Sequence, residues 1–242
     1  MIRGLLPVKS LSSALERLRP VLSPAERSEL ARTMYQVMLE KMLSAQRFDR
    51  VVVASSDQSV LDDAQRAGAI ALEELHQSSH SLSADWAATR CAEMGARTLV
   101  IVPIDVPLAT PEELDSLAEA ANQLVHPSLV IVPSADGSGT NALVRTPPGI
   151  IASRFGAGSF EAHIAQAKQK ALAVEVKRPP GIVFDLDTPE DLLTLGRYAG
   201  SGSESGGGAD SGQTLTYLRE INAFERAENY LCRRADGNSW SV

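Results

Sequence analysis

TLVIVPIDVP, residues Thr98–Pro107, is the stretch that decides the fold. Its first half is a short, unbroken run of aliphatic residues, the pattern of a strand covered on both faces. Pro103 ends the run, and Asp105 falls just beyond the strand's carboxyl end. Upstream, the spacing predicts a helix over Ser83–Met94, stopped by Gly95. Downstream, Thr110-Pro111-Glu112-Glu113 supplies an N-cap, a first-turn proline and acidic residues for a helix to about Val125. SLVIVP, Ser128–Pro133, then repeats the buried-strand pattern. Strand, helix and strand with short joints belong to α/β architecture.

The same alternation continues outward. Ile2–Leu6 is expected as a first strand ended by Pro7, with a loop over Val8–Ser13 and a helix beginning near Ser12 or Ser13. Ser23-Pro24 opens the next helix, with Glu26 three residues after the cap and an apolar face through Leu30, Met34, Val37, Met38 and Met42. Arg50–Ser55 reads as a buried strand, Ser59–Ala67 as a helix stopped by Gly68, and Ala69–Leu72 as a weak strand. Residues 73–81 are expected as loop. Asn141–Arg145 suggests another strand, Ser159–Ala171 a helix, and Gly181–Asp187 (GIVFDLD) a final strand before a helix capped by Thr188-Pro189. The expected fold is α/β with a mostly parallel, doubly wound sheet, whose ligands bind outside the carboxyl ends of the strands.

From Gly200 to Gln213 the sequence becomes GSGSESGGGADSGQ, a flexible linker. Residues 214–242 then suggest a short amphipathic helix through Leu215, Leu218, Ile221, Phe224 and Leu231, docked or loose.

The chain has 242 residues and a net charge of -7, which argues against a nucleic-acid or anionic-membrane partner. Its two cysteines, Cys91 and Cys232, suggest neither a disulfide framework nor a zinc site. MIRGLLPVK is too short an apolar run for a signal peptide, and no stretch is long enough to span a bilayer. A cytoplasmic protein is expected; the sequence does not report its oligomeric state, and a homodimer remains open.

Three acidic residues stand at strand ends: Asp105, Asp185 and Asp187. The i, i+2 spacing puts the last two on one face of an extended segment. Together the three could hold Mg²⁺, which favours oxygen ligands and shares phosphate oxygens with substrates. Separately, Asp105 suits a turn cap, and Asp-Thr-Pro-Glu suits a helix start. DGSGTN, Asp136–Asn141, reads first as a tight turn and second as a cradle for an anion. RFGAGSF, Arg154–Phe160, brings flexible glycines to a helix N-terminus, where free N–H groups and the dipole favour a carboxylate or phosphate. His163 lies one turn on and reads first as a satisfied histidine. Lys9 and Arg17 flank the loop after the first strand and could offset charge on a triphosphate.

In order and spacing, PVKSLSSALERL, PIDVP, DGSGTNAL, RFGAGSFEAH and FDLDTPEDL resemble the CofC/FbiD guanylyltransferases of deazaflavin coenzyme F-420 biosynthesis. The resemblance covers residues 1–198. It implies a nucleotide-diphospho-sugar transferase-like fold over a nucleotidyltransferase domain at 1–199. It also implies a GTP-dependent enzyme that moves GMP to the phosphate of 2-phospho-L-lactate, phosphoenolpyruvate or 3-phospho-D-glycerate. Asp105, Asp185 and Asp187 would correspond to metal-binding aspartates. Thr140, Gly156 and Ser159 would correspond to phosphoacid contacts, and Lys9, Arg17 and Asp105 to the catalytic set. Leu15 stands where the family often has a lysine, Ile104 where it has glycine, and Ser83 where it has asparagine. A transferase for sugar phosphates or a pterin cofactor is a second reading. A non-catalytic nucleotide-binding protein is a third.

Overall fold

The computed structural model describes residues 1–75, 79–200 and 211–235. The expected strands form around the two aliphatic runs: β1 (Ile2–Pro7), β2 (Arg50–Ser55), β3 (Ile70–Glu73), β4 (Thr98–Ile101), β5 (Ser128–Pro133) and β6 (Thr140–Thr146). They join one seven-stranded sheet with β7 (Ala173–Val176), in the order β3-β2-β1-β4-β6-β5-β7. β1 pairs in parallel with both β2 and β4, β2 with β3, and β5 with β7. β6 runs antiparallel to its neighbours β4 and β5. The chain therefore builds outward from β1 to β3, then crosses back to β4. That reversal is the switch point where such sheets open a crevice.

Helices cover both faces. α1 (Pro24–Ser44), α2 (Gln58–Arg66) and α4 (Pro111–Gln123) pack on one side around Met38, Val53, Val100 and Leu117. α3 (His80–Glu93) and α5 (Ser159–Gln169) cover the other around Leu5, Ala88, Ile101 and Leu143. The expected caps are in place: Ser23 and Glu26 form a reciprocal capping box on α1, as do Thr110 and Glu113 on α4. α3 starts earlier than its apolar pattern does, because Ser79 accepts from the Leu82 N–H. Residues 76–78 of the expected loop lie outside the described residues.

Two expectations are corrected here. The helix near Ser12 becomes two single 3₁₀ turns, Leu11–Ser13 and Glu16–Leu18, separated by Leu15 in the left-handed region at φ 56°. The final strand at 181–187 does not form. Pro180 starts a short helix, α6 (Pro180–Val183), and Phe184–Asp187 then runs outside the sheet. The aliphatic run resembled a strand, but its ladder position beside β5 is taken by β7, which lacks the buried-strand signature.

α7 (Pro189–Gly200) begins at the Thr188 cap, whose hydroxyl accepts from the Asp191 N–H. The tail forms α8 (Ser211–Glu220) and α9 (Ala223–Ala235), so α8 takes up the last three residues of the expected linker. Linker residues 201–210 and tail residues 236–242 lie outside the described residues. The tail docks: Leu218, Ala223 and Ala227 are buried in a third cluster with Leu18, Leu22, Leu30, Leu186 and Leu192.

Candidate active site

A cleft of about 780 Å³ opens at the carboxyl ends of β1 and β4, bounded by the β5–β6 turn. Lys9, Arg17, Asp105, Thr140, Gly156, Asp185 and Asp187 all line it. Ser159 does not; it is buried behind Thr140, to which its hydroxyl donates at 3.1 Å.

On the acidic wall, the Leu186 N–H donates to the Asp105 carbonyl at 2.8 Å, tying the extended segment 185–187 to the turn after β4. This bond joins segments whose carboxylates lie far apart in sequence. Lys41 of α1, itself buried, donates to the Pro107 carbonyl and fixes the far side of that turn. Gly181 is the closest approach: a Cβ there would overlap the Leu108 carbonyl oxygen, so only glycine lets α6 seat against this loop. Asn141 at the start of β6 donates to the Ile182 and Val183 carbonyls and to Asp185 Oδ1. Asp191 accepts from the Asp187 and Thr188 N–H groups, which shapes the end of the same segment.

Asp105 is the electrostatic centre. Burial, followed by the like charges of Asp185 and Asp187, pushes its carboxyl up to about 7. Its Oδ1 is sealed from solvent and has no hydrogen-bond partner among the described residues. Burial also raises Asp185, against the opposing hydrogen bond from Asn141. Five aspartates and two cations line the cleft, an arrangement that repels a triphosphate unless a cation accompanies it. An unpaired buried carboxylate oxygen beside two further carboxylates suits a hard divalent ion. Among the described residues no three His, Cys, Asp or Glu side chains are gathered closely enough to hold a metal ion between them.

On the β1 side, Lys9 is exposed, and Arg17 pairs with Asp187 at 2.7 Å across the mouth. On the opposite wall, Asp136 accepts from the Ser134 and Ser138 hydroxyls and the Ser138 N–H, which hold its carboxyl down at about 2. The first four residues of DGSGTN are thus in the tight turn between β5 and β6, and Thr140 and Asn141 begin β6. Gly156, at φ 120°, adopts a backbone that side chains rarely reach, and turns the chain along the cleft edge toward α5. The N-terminus of α5 has fewer free donors than expected: Ser159 N–H bonds the Gly156 carbonyl and Phe160 N–H the Ser138 carbonyl.

Sequence reasoning passed over His80 and Phe155, which meet edge to face at 5.0 Å on the cleft wall. Burial, with Lys9 adding to it, lowers His80 to about 4, so it is neutral at physiological pH. Ser79 as an N-cap was its available signal. Asn141 and Lys41 had none, since the groups they bond here lie far away in sequence. Ser83 is buried away from the cleft lining and donates to Glu74. Leu15 does line the cleft.

The chain is similar to known proteins in sequence and in fold. The chain is 38% identical over 206 residues to a phosphoenolpyruvate guanylyltransferase of Sphaerobacter thermophilus, spanning 84% of this chain and 96% of the relative. It is 33% identical over 189 residues to a 2-phospho-L-lactate guanylyltransferase of Methanothermobacter thermautotrophicus, spanning 78% and 81%. In fold it is similar to a crystal structure described as a nucleotide-diphospho-sugar transferase from Desulfovibrio desulfuricans. That match has a TM-score of 0.73 at 17% identity and covers 95% of this chain and 97% of the other. A nucleotidyl transferase from Methanothermobacter thermautotrophicus superposes with a TM-score of 0.57 at 14% identity, over 82% and 97%. The family described as "Guanylyl transferase CofC like" matches residues 2–206, and the chain belongs to it.

Proposed function

We propose that this protein transfers GMP from GTP to the phosphate of a small three-carbon phosphoacid and releases pyrophosphate, as a step of coenzyme F-420 biosynthesis. The observation that carries the reading is the cleft's division. Carboxylates coupled through Asp105 form one wall, and the Thr140–Gly156 edge forms the other. A phosphate oxygen of the acceptor attacks the α-phosphorus of GTP, and the bond to the β-phosphate oxygen breaks. That nucleophile is already ionised at neutral pH, so no general base is needed. Catalysis rests on positioning and on charge.

Asp105, Asp185 and Asp187 would hold Mg²⁺, which would supply Lewis-acid neutralisation of the α-phosphate. Lys9 and Arg17 place positive charge on the β1 side, where it favours the leaving pyrophosphate. Thr140 and Gly156 border the space for the acceptor, with Ser159 supporting Thr140 from behind. The β5–β6 turn and the His80–Phe155 pair close the cleft around it. Phosphoenolpyruvate is the first acceptor to test, because identity to the enzymes named for it reaches 38–39%, above the 33% to those named for 2-phospho-L-lactate. We place the reaction in the cytoplasm, with no nucleic-acid or membrane partner.

The test is pyrophosphate release from GTP and Mg²⁺ against phosphoenolpyruvate, 2-phospho-L-lactate and 3-phospho-D-glycerate, with ATP, CTP and UTP as controls. Release with GTP and one phosphoacid is expected. Silence across the panel from folded protein would turn the assignment toward sugar-phosphate transfer or nucleotide binding alone.

A further inference from the structure

Thr140 opens β6 at the cleft, and its hydroxyl oxygen is engaged from two sides. The Arg154 backbone N–H donates to Nε2 of His163 at 2.9 Å. A ring nitrogen that accepts carries no proton, so in the neutral imidazole the proton sits on Nδ1. Nδ1 lies 3.1 Å from Thr140 Oγ1 and donates to it. The Ser159 hydroxyl donates to the same oxygen at 3.1 Å. Both lone pairs of Thr140 Oγ1 are then filled, while its own proton has no partner among the described residues.

We propose that His163 is a positioning residue: through its tautomer it makes the Thr140 hydroxyl a pure donor toward the cleft, the form that recognises an anionic oxygen of the acceptor. The identity of that anion as the phosphoacid rests on the guanylyl-transfer reading above. The surroundings fix the arrangement. Arg145, fully buried, pairs with Asp85 of α3 at 2.8 Å, and Asp85 accepts the Ser153 N–H at 3.0 Å. This holds the segment before Gly156 so that the next N–H, that of Arg154, reaches the ring. Phe155 packs edge to face on the imidazole at 5.7 Å. Burial keeps the ring neutral, with its pKa lowered to about 4. A threonine free to rotate would turn a lone pair toward the anion part of the time; one with both lone pairs occupied does not.

The experiment uses the full chain labelled with ¹⁵N-histidine, and calorimetry with phosphoenolpyruvate and GTP as separate probes. The wild type at pH 7 is expected to show His163 as the neutral Nδ1–H tautomer. An Nε2–H tautomer or a charged ring overturns the proposal. His163→Phe is expected to weaken phosphoenolpyruvate binding about tenfold while leaving GTP within about twofold. His163→Gln, whose amide can accept from Arg154 and donate to Thr140, is expected to recover most of that loss. Parallel weakening of both ligands, or a glutamine variant no better than phenylalanine, makes His163 merely structural. Should the phenylalanine variant not fold, the wild-type tautomer and the glutamine variant still decide. A wild type that binds phosphoenolpyruvate with these features yet transfers no GMP refutes the function and supports the positioning role. A wild type that binds none overturns the latter.

Discussion

Asp105 carries the largest electrostatic strain in the cleft, and its consequences can be measured without substrate. Its carboxyl is raised from 3.8 to about 7 by burial and by its two acidic neighbours. Between those values the folded protein holds a proton that the unfolded chain has lost. Stability therefore falls as pH rises through that window, and the cost is fully present above pH 7. In metal-free protein, Asp105→Asn is expected to remove this slope and to stabilise the fold at pH 8. Denaturant midpoints of both proteins from pH 4 to 8 would show it, and an unchanged slope would exclude Asp105 as its source. The same substitution, like Asp187→Asn, is expected to reduce GMP transfer at least about a hundredfold. Near wild-type turnover by a folded Asp187→Asn variant would remove Asp187 from the proposed metal set. The candidate carboxylates were legible because each follows a run of aliphatic residues. Asn141, which holds Asp185, was not, because its three acceptors come from a distant segment.

At the level of elements, α6 shows why GIVFDLD misled. Continuous aliphatic residues indicate burial, not conformation. Here burial is met by seating α6 against the turn after β4, and two features demand it. The Gly181 N–H donates to Glu113 Oε1 at 2.8 Å, and the glycine has no room for a Cβ beside Leu108. Gly181→Ala should lower stability by about 1–3 kcal/mol through this overlap. It should also reduce GMP transfer, since α6 supplies carbonyls that orient Asn141. Chemical denaturation and turnover together test this; a variant matching the wild type in both would mean that α6 can shift freely. β7 was missed for the converse reason. Its exposed Val174 and Val176 lie on an edge strand, where one-sided burial gives a weak signal.

Across the whole molecule, the tail braces the site from behind. Leu218, Ala223 and Ala227 share a cluster with Leu18, Phe184 and Leu186, the residues beside Arg17, Asp185 and Asp187. Arg226 of α9 pairs with Glu26 at 2.7 Å, and the Tyr217 hydroxyl donates to the Glu26 carbonyl. Leu218→Ala is expected to cost about 2–5 kcal/mol as a buried cavity, read by thermal or denaturant unfolding. The Arg226 hydrogen bond, ahead of the Ser23 contacts, holds Glu26 down at about 2 against a usual 4.5. Its contribution is present above pH 4.5 and lost as pH falls through about 2. Amide exchange in α8 and α9 should therefore quicken across that range in the wild type. In Arg226→Gln it should already be faster at pH 5 and change less on acidification. Equal protection in the two proteins would show that the apolar cluster alone holds the tail.

By itself the sequence determined most of the alternation of strands and helices, the capped starts of α1, α4 and α7, and the place of Asp105 beyond β4, because apolar period, caps and prolines act over a few neighbouring positions. The motif order carried the family resemblance as well. Tertiary structure decided the reversed strand β6, the conversion of 181–187 into helix and extended chain, the docking of the tail and the polarity of the Thr140 hydroxyl. Each depends on competition for partners far apart along the chain: a ladder position beside β5, the space around Gly181, the surface of α1 and α7, and a ring nitrogen claimed by the Arg154 N–H. Local patterns show that a group must be buried or bonded. Only the assembled fold selects its partner.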